Sequence, residues 1–136
     1  MHQHYGRMKV IKNNIFDFEK KGLCCVTWGE AHLSAIFENN ILITDGGYAY
    51  HLPAREHIED GTVATGNNIL WSITGEEVKV FRYNDKDYTV AEASALGMEV
   101  GSICADPKCK DLSNFDFTLA EDSPAYALGF KPIQLK

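Results

Sequence analysis

The sequence predicts an all-β chain wound as a short coil of parallel strands, and three observations predict it. Asn-Asn-Ile occurs three times, at 13–15, 39–41 and 67–69. Its second Asn recurs after 26 and then 28 residues. The flanking residues, Ile-Phe-Asp-Phe, Ile-Leu-Ile-Thr and Ile-Leu-Trp-Ser-Ile, are strand formers, while an Asn pair favours a turn. A turn between two short strands, repeated at that interval, suits strands stacked rung upon rung better than a row of hairpins. Equivalent residues of successive rungs then lie ~4.8 Å apart. Asn14, Asn40 and Asn68 would form a ladder of carboxamides, and Ile15, Ile41 and Ile69 an interior aliphatic stack.

In chain order, the rungs occupy about 1–78. The segment 45–62, with Gly46-Gly47, Pro53 and Asp60-Gly61, reads as a loop insertion between the second and third rungs. From 79 onward the pattern changes to a capping region. Lys79 to Tyr83 is a strand candidate, and Asn84-Asp85-Lys86-Asp87 is a turn. Thr89-Val90-Ala91-Glu92 is a capping box that opens the one short helix, about 90–96, stopped by Gly97. Ser102 to Cys104 reads as a strand entering a turn at Asp106-Pro107, and Phe115 to Leu119 as a further strand. Ser123-Pro124 starts a last turn or short helix ending at Gly129. The whole is one domain, 1–136.

Composition bounds the function. The 136 residues carry a net charge of −6, with 45% hydrophobic and 24% charged residues, close to a globular average. An acidic chain without a basic patch is not expected to bind nucleic acid, which needs cations to displace counterions. No apolar run approaches the ~20 residues of a membrane span, so no membrane partner is expected. Met1 to Gly6 shows neither a basic nor an apolar leader region, and localisation stays open. Of the four cysteines, Cys24 and Cys25 are adjacent, which disfavours a mutual bridge. Cys104 and Cys109 are spaced so that a bridge is conceivable, but the leading expectation is four small buried hydrophobes.

The opening His2-Gln3-His4-Tyr5-Gly6-Arg7, the run Val10 to Phe16, and Thr27-Trp28-Gly29-Glu30-Ala31-His32 resemble the late rungs of right-handed parallel β-helix glycoside hydrolases, the group with α-L-fucosidase and xylan-acting members. The Asn-Asn-Ile rungs and a tail running through Leu96-Gly97-Met98-Glu99, Ala105-Asp106-Pro107, Asn114 to Phe117 and Asp122 to Ala125 are similar too. The resemblance spans nearly the whole chain. It implies a right-handed parallel β-helix of about three rungs with one short helix and a C-terminal capping tail. It also implies that the chain matches the C-terminal portion of an enzyme several hundred residues long. The acidic Asp-Glu-Gly-like rung that precedes the His-Gln-His-Tyr-Gly segment in that family is absent here. Trp28 and Ala31 stand where the family has Arg and Pro. The chain is therefore expected to be carbohydrate-active but not catalytically competent alone. The alternative is a non-catalytic glycan- or protein-binding module.

Glycoside hydrolysis uses two carboxyl groups across the scissile bond. Glu30, beside Trp28 and before His32, is the first candidate. Asp45, before Gly46-Gly47, is the second. His4, Tyr5, Trp28 and His32 are candidate substrate-binding residues, an aromatic face for stacking and imidazoles for sugar hydroxyls. His2 and His4 alternate and so share a strand face, but no third ligand is placed, and neither metal nor cofactor is expected. His51 and His57 fall in the loop insertion and read as surface residues. The expected partner is an oligo- or polysaccharide. An uncapped first rung also predicts a homo-oligomer joined through the N-terminal rungs.

Overall fold

The computed structural model describes residues 1–18 and 21–133. The strands are β1 (His2–Gln3), β2 (Lys9–Lys12), β3 (Ile15–Asp17), β4 (Cys24–Val26), β5 (Ala35–Glu38), β6 (Ile41–Thr44), β7 (Tyr50–His51), β8 (Val63–Gly66), β9 (Ile69–Ser72), β10 (Phe81–Tyr83), β11 (Lys86–Tyr88), β12 (Ile103–Cys104), β13 (Cys109–Asp111) and β14 (Asp116–Leu119). The helices are α1 (Arg55–Ile58), α2 (Val90–Ala95) and α3 (Pro124–Ala127), with a 3-10 turn at Leu112–Asn114.

These strands make several short sheets. Three are parallel, in the orders β1-β4-β7, β2-β5-β8 and β12-β9-β6-β3, and two are antiparallel pairs, β10–β11 and β13–β14. The expected fold class is thereby corrected. The chain is a small mixed β domain, not a single parallel β-helix with one helix and a tail. Local backbone chemistry is one reason. Asn84 and Asp85 both take positive φ, 48° and 60°, the conformation of a tight hairpin turn that returns the chain antiparallel. Phe115, at φ 57°, sits in the connection that pairs β13 with β14. The presumed loop insertion 45–62 is also structured, since it contributes β7 and α1.

The Asn repeat has a clear structural meaning. Asn13, Asn39 and Asn67 all adopt positive φ, between 51° and 58°, which Asn tolerates better than most residues. The Asn after each one stacks. Asn14 Nδ2 donates to Asn40 Oδ1 at 3.2 Å, and Asn40 Nδ2 to Asn68 Oδ1 at 3.3 Å. Each acceptor oxygen also takes the backbone N–H of the Asn before it, at 3.1 and 2.8 Å. The ladder ends on Glu99, whose carboxylate accepts from Asn68 Nδ2 at 3.3 and 3.2 Å.

The register pairs Ile15 with Ile41 and Ile41 with Ile69. They stack in register as expected, with Ile41 and Ile69 buried, but in a second core. Alternation along a strand sends neighbours to opposite faces, and here Phe16, Leu42 and Leu70 enter the main core with Phe37, Tyr50 and Phe81. Ile15, Ile41 and Ile69 point the other way and are covered by the tail, including Phe117, Ala125 and Phe130. Burial on both faces explains why β6 and β9 read as nearly continuous apolar runs. Helix α2 keeps its capping box, with Thr89 Oγ1 accepting from Glu92 N at 3.3 Å and Glu92 Oε2 from Thr89 N at 3.0 Å. All four cysteines are free, and only Cys24 is buried. Burial pushes its thiol up to about 12. No helix among the described residues is long and apolar enough to cross a membrane.

Candidate functional site

The connections from the first parallel sheet to the second, residues 4–8, 27–34 and 52–62, lie against one another. Thr27 N donates to Gln3 O at 3.1 Å, Met8 N to Leu33 O at 2.9 Å, and Ser34 N to Thr62 O at 2.7 Å. Gln3, buried, holds the interior side by donating its Nε2 to Ser34 O at 3.2 Å. This stacking brings residues some 24 positions apart into one face.

On that face the His4 ring meets Tyr5 edge-on at 4.5 Å between centroids. The Trp28 ring lies 5.5 Å from Tyr5 and 6.0 Å from His4. Tyr5 and Trp28 remain 56% and 50% exposed, so their apolar surfaces are presented outward rather than used in the core. His4 Nδ1 and His2 Nε2 both contact Thr27 Oγ1, at 2.9 and 3.1 Å.

Beside the aromatics is a partly buried His–Glu pair. His32 Nε2 is 3.4 Å from Glu30 Oε2 and 3.3 Å from Gly6 O. Two acceptors at one ring nitrogen place the proton on Nε2. Gly6 N also points at Glu30 Oε2, at 3.5 Å. Glu30 is thus fixed from two sides, as an acceptor group must be to orient a ligand hydroxyl.

Helix α1 supports the face from below. Its His57 is buried and donates Nε2–H to Trp28 O at 3.2 Å. Burial holds the His57 pKa below the ordinary imidazole value, against the opposing pull of the Trp28 carbonyl and Glu56. Gly29 allows the close approach. A Cβ there would sit 2.8 Å from Ala54 Cβ and 2.6 Å from the movable end of Glu56, so a side chain at this position would have to displace the residue leading into α1. The Glu56 carboxylate therefore packs onto Gly29, next to Glu30.

The predicted residues separate in an informative way. His4, Tyr5, Trp28, Glu30 and His32 are brought together. Asp45 is not among them. It follows β6, in the connection from the third parallel sheet to the first, where Ile73 N bonds Thr44 O. His51 is exposed at β7, as its loop position suggested, but His57 is fully buried, which corrects its reading as a surface residue. Two contributors, Thr27 and Glu56, were not singled out from sequence, and His57 was read only as a surface residue. Helix α1 has no detectable start signal, because Ala54 at its N-cap offers no side-chain acceptor. The segment therefore looks like loop, and its Glu and His like solvated residues. No family model, curated protein or solved structure matches the chain.

Proposed function

We propose that this is a carbohydrate-active protein that binds a glycan on the face formed by His4, Tyr5, Trp28, Glu30 and His32. The observation that carries the proposal is the pair of exposed rings, Tyr5 and Trp28, set beside a carboxylate whose position is fixed. A sugar ring has an apolar face and a rim of hydroxyls. Stacked aromatics cover the first, and Glu30 with His32 addresses the second. Glu30 is the carboxylate that would serve any acid–base step. We propose Glu56, whose carboxylate packs on Gly29, in place of Asp45 as the second carboxylate.

Calorimetric titration with neutral xylan-type and fucosylated oligosaccharides tests the reading. Covering one aromatic ring contributes ~1.5–3 kcal/mol, so Trp28→Ala should weaken binding about 10- to 100-fold. Reducing-sugar release that is lost in Glu30→Gln and Glu56→Gln while binding persists would identify a hydrolase. Binding without release would identify a glycan-binding module. Absence of binding across the panel, or binding indifferent to Trp28→Ala, would contradict the proposal.

A second reading concerns assembly. Strands β1, β2 and β3 are each the first of their parallel sheet, and Met8 and Val10 are 62% and 53% exposed there. Strand edges with no partner among the described residues can pair with other chains, which supports a homo-oligomer joined at this end.

A further inference from the structure

His2 and His4 hold an arrangement beyond the ring contacts that His4 makes with Tyr5 and Trp28. They alternate along the chain at β1, so both side chains leave the same side. Both turn onto a single atom, Thr27 Oγ1, with His2 Nε2 at 3.1 Å and His4 Nδ1 at 2.9 Å. Their ring centroids are 6.1 Å apart and their planes nearly perpendicular, at 76°. The hydroxyl has one proton, and it also faces the Gln3 carbonyl at 3.4 Å. It cannot donate to both imidazoles, so at least one ring must turn an N–H toward Oγ1. Two nitrogens of the commonest metal-binding side chain thus converge on one point.

We propose that His2 and His4 form a chelating pair for a divalent transition cation of the nickel, copper or zinc type, bound next to Thr27 Oγ1. A cation would sit between the two nitrogens at ~2.0–2.1 Å from each, replacing their hydrogen bonds to Thr27 Oγ1. Both rings are exposed and can turn from the hydroxyl toward it. The ring that now presents N–H shifts its proton to its other nitrogen, which leaves a bare nitrogen for the metal. Imidazole ligands favour these cations over magnesium and calcium, which prefer oxygen. Among the described residues no three His, Cys, Asp or Glu side chains gather. The pair therefore leaves coordination positions open to water or a ligand oxygen, and the site is exchangeable rather than structural. From sequence, no metal was expected for want of a third ligand. Thr27, 25 residues from His2 and 23 from His4, is the residue that local spacing could not place. The inference does not depend on carbohydrate binding.

The test is calorimetric titration of the full chain with NiCl2 at pH 7.5, with MgCl2 as control, for the wild type and for His2→Gln, His4→Gln and His51→Gln. The expected result is one Ni2+ bound per chain and no response to Mg2+. His2→Gln and His4→Gln should each weaken binding at least tenfold, while His51→Gln should leave it unchanged. Ring nitrogen resonances of His2 and His4 should shift together on Ni2+ or Zn2+ addition, which reads the site without any substitution. No binding up to 1 mM NiCl2, or binding unaltered in both variants, would overturn the inference.

Discussion

Glu99 is the titratable group on which the Asn ladder ends. It is fully buried, and burial raises its pKa against the opposing hydrogen bonds from Ser102, Tyr50, Asn68 and Thr65. The folded protein therefore keeps the Glu99 proton to a higher pH than the unfolded chain does. Its contribution to stability is full below the ordinary carboxylate pKa of ~4.3 and declines as pH rises toward the raised value. Tyr50 and Cys24, the ionisable neighbours, are themselves pushed up by burial and stay neutral in that window. Glu99→Gln should thus flatten the fall of the urea midpoint between pH 4 and pH 8, and an unchanged slope would contradict this account. His57 acts in the opposite sense. Its depressed pKa contributes stability above the ordinary imidazole value of ~6.5 that is lost as pH falls. Neither group was legible as a core residue. Glu99 follows a helix stop and looks like a surface turn, yet it meets Asn68, 31 residues upstream.

At the scale of elements, the repeat was legible because one local motif does three things at once. Its first Asn supplies the left-handed turn, its second makes the ladder, and its Ile starts the next strand. Side-chain burial graded along that ladder predicts graded costs. Asn68 is buried and donates to Phe37 O at 3.1 Å as well as to Glu99, whereas Asn14 is partly exposed and bonds Lys12 O at 2.8 Å. Removing Asn68 leaves the Asn40 N–H without an acceptor in the interior and takes one donor from the buried Glu99 carboxyl, which keeps Ser102. Each unsatisfied group costs ~1–3 kcal/mol. Asn68→Ala should therefore lower stability by several kcal/mol and Asn14→Ala by ~1 kcal/mol or less, as read from chemical denaturation. Equal losses would show that the ladder does not carry the load assigned to it. What was illegible at this scale was direction and partner. The turn at Asn84-Asp85 was recognisable, but its antiparallel outcome depends on two positive φ values, and α1 is a four-residue helix without a cap.

At the scale of the molecule, the two ends differ. Beyond β8 and β9, the chain covers the edges with Glu99 N bonding Thr65 O at 2.9 Å, a bridge between Gly66 and Val100, and β12. At the opposite end β1, β2 and β3 have no further strand among the described residues, and an apolar cavity of about 470 Å³ opens between Ile15, Phe16, Phe115 and Phe130. Light scattering should accordingly show mass above the monomer that grows with concentration. Salt should favour it by screening Lys9 and Lys12 on β2. A clean monomer at high concentration would count against association through these edges.

The same stacking of connections explains how much of the site could be read from the sequence. Gly6, Glu30 and His32 lie 24 and 26 residues apart, near the interval of the Asn repeat, so residues following that period converge. Asp45 follows a different connection and does not, while Glu56 arrives on an element that gave no local signal.

The central claim is that Tyr5 and Trp28 form a glycan-binding face. The chain has two tryptophans, Trp28 and Trp71, so Trp71→Phe leaves Trp28 as the sole indole reporter at that face. Fluorescence titration of this variant with xylan-type and fucosylated oligosaccharides should give a saturable shift as the exposed indole is covered, weakened about 10-fold or more by Tyr5→Ala. An emission spectrum that stays constant through millimolar sugar would contradict the claim.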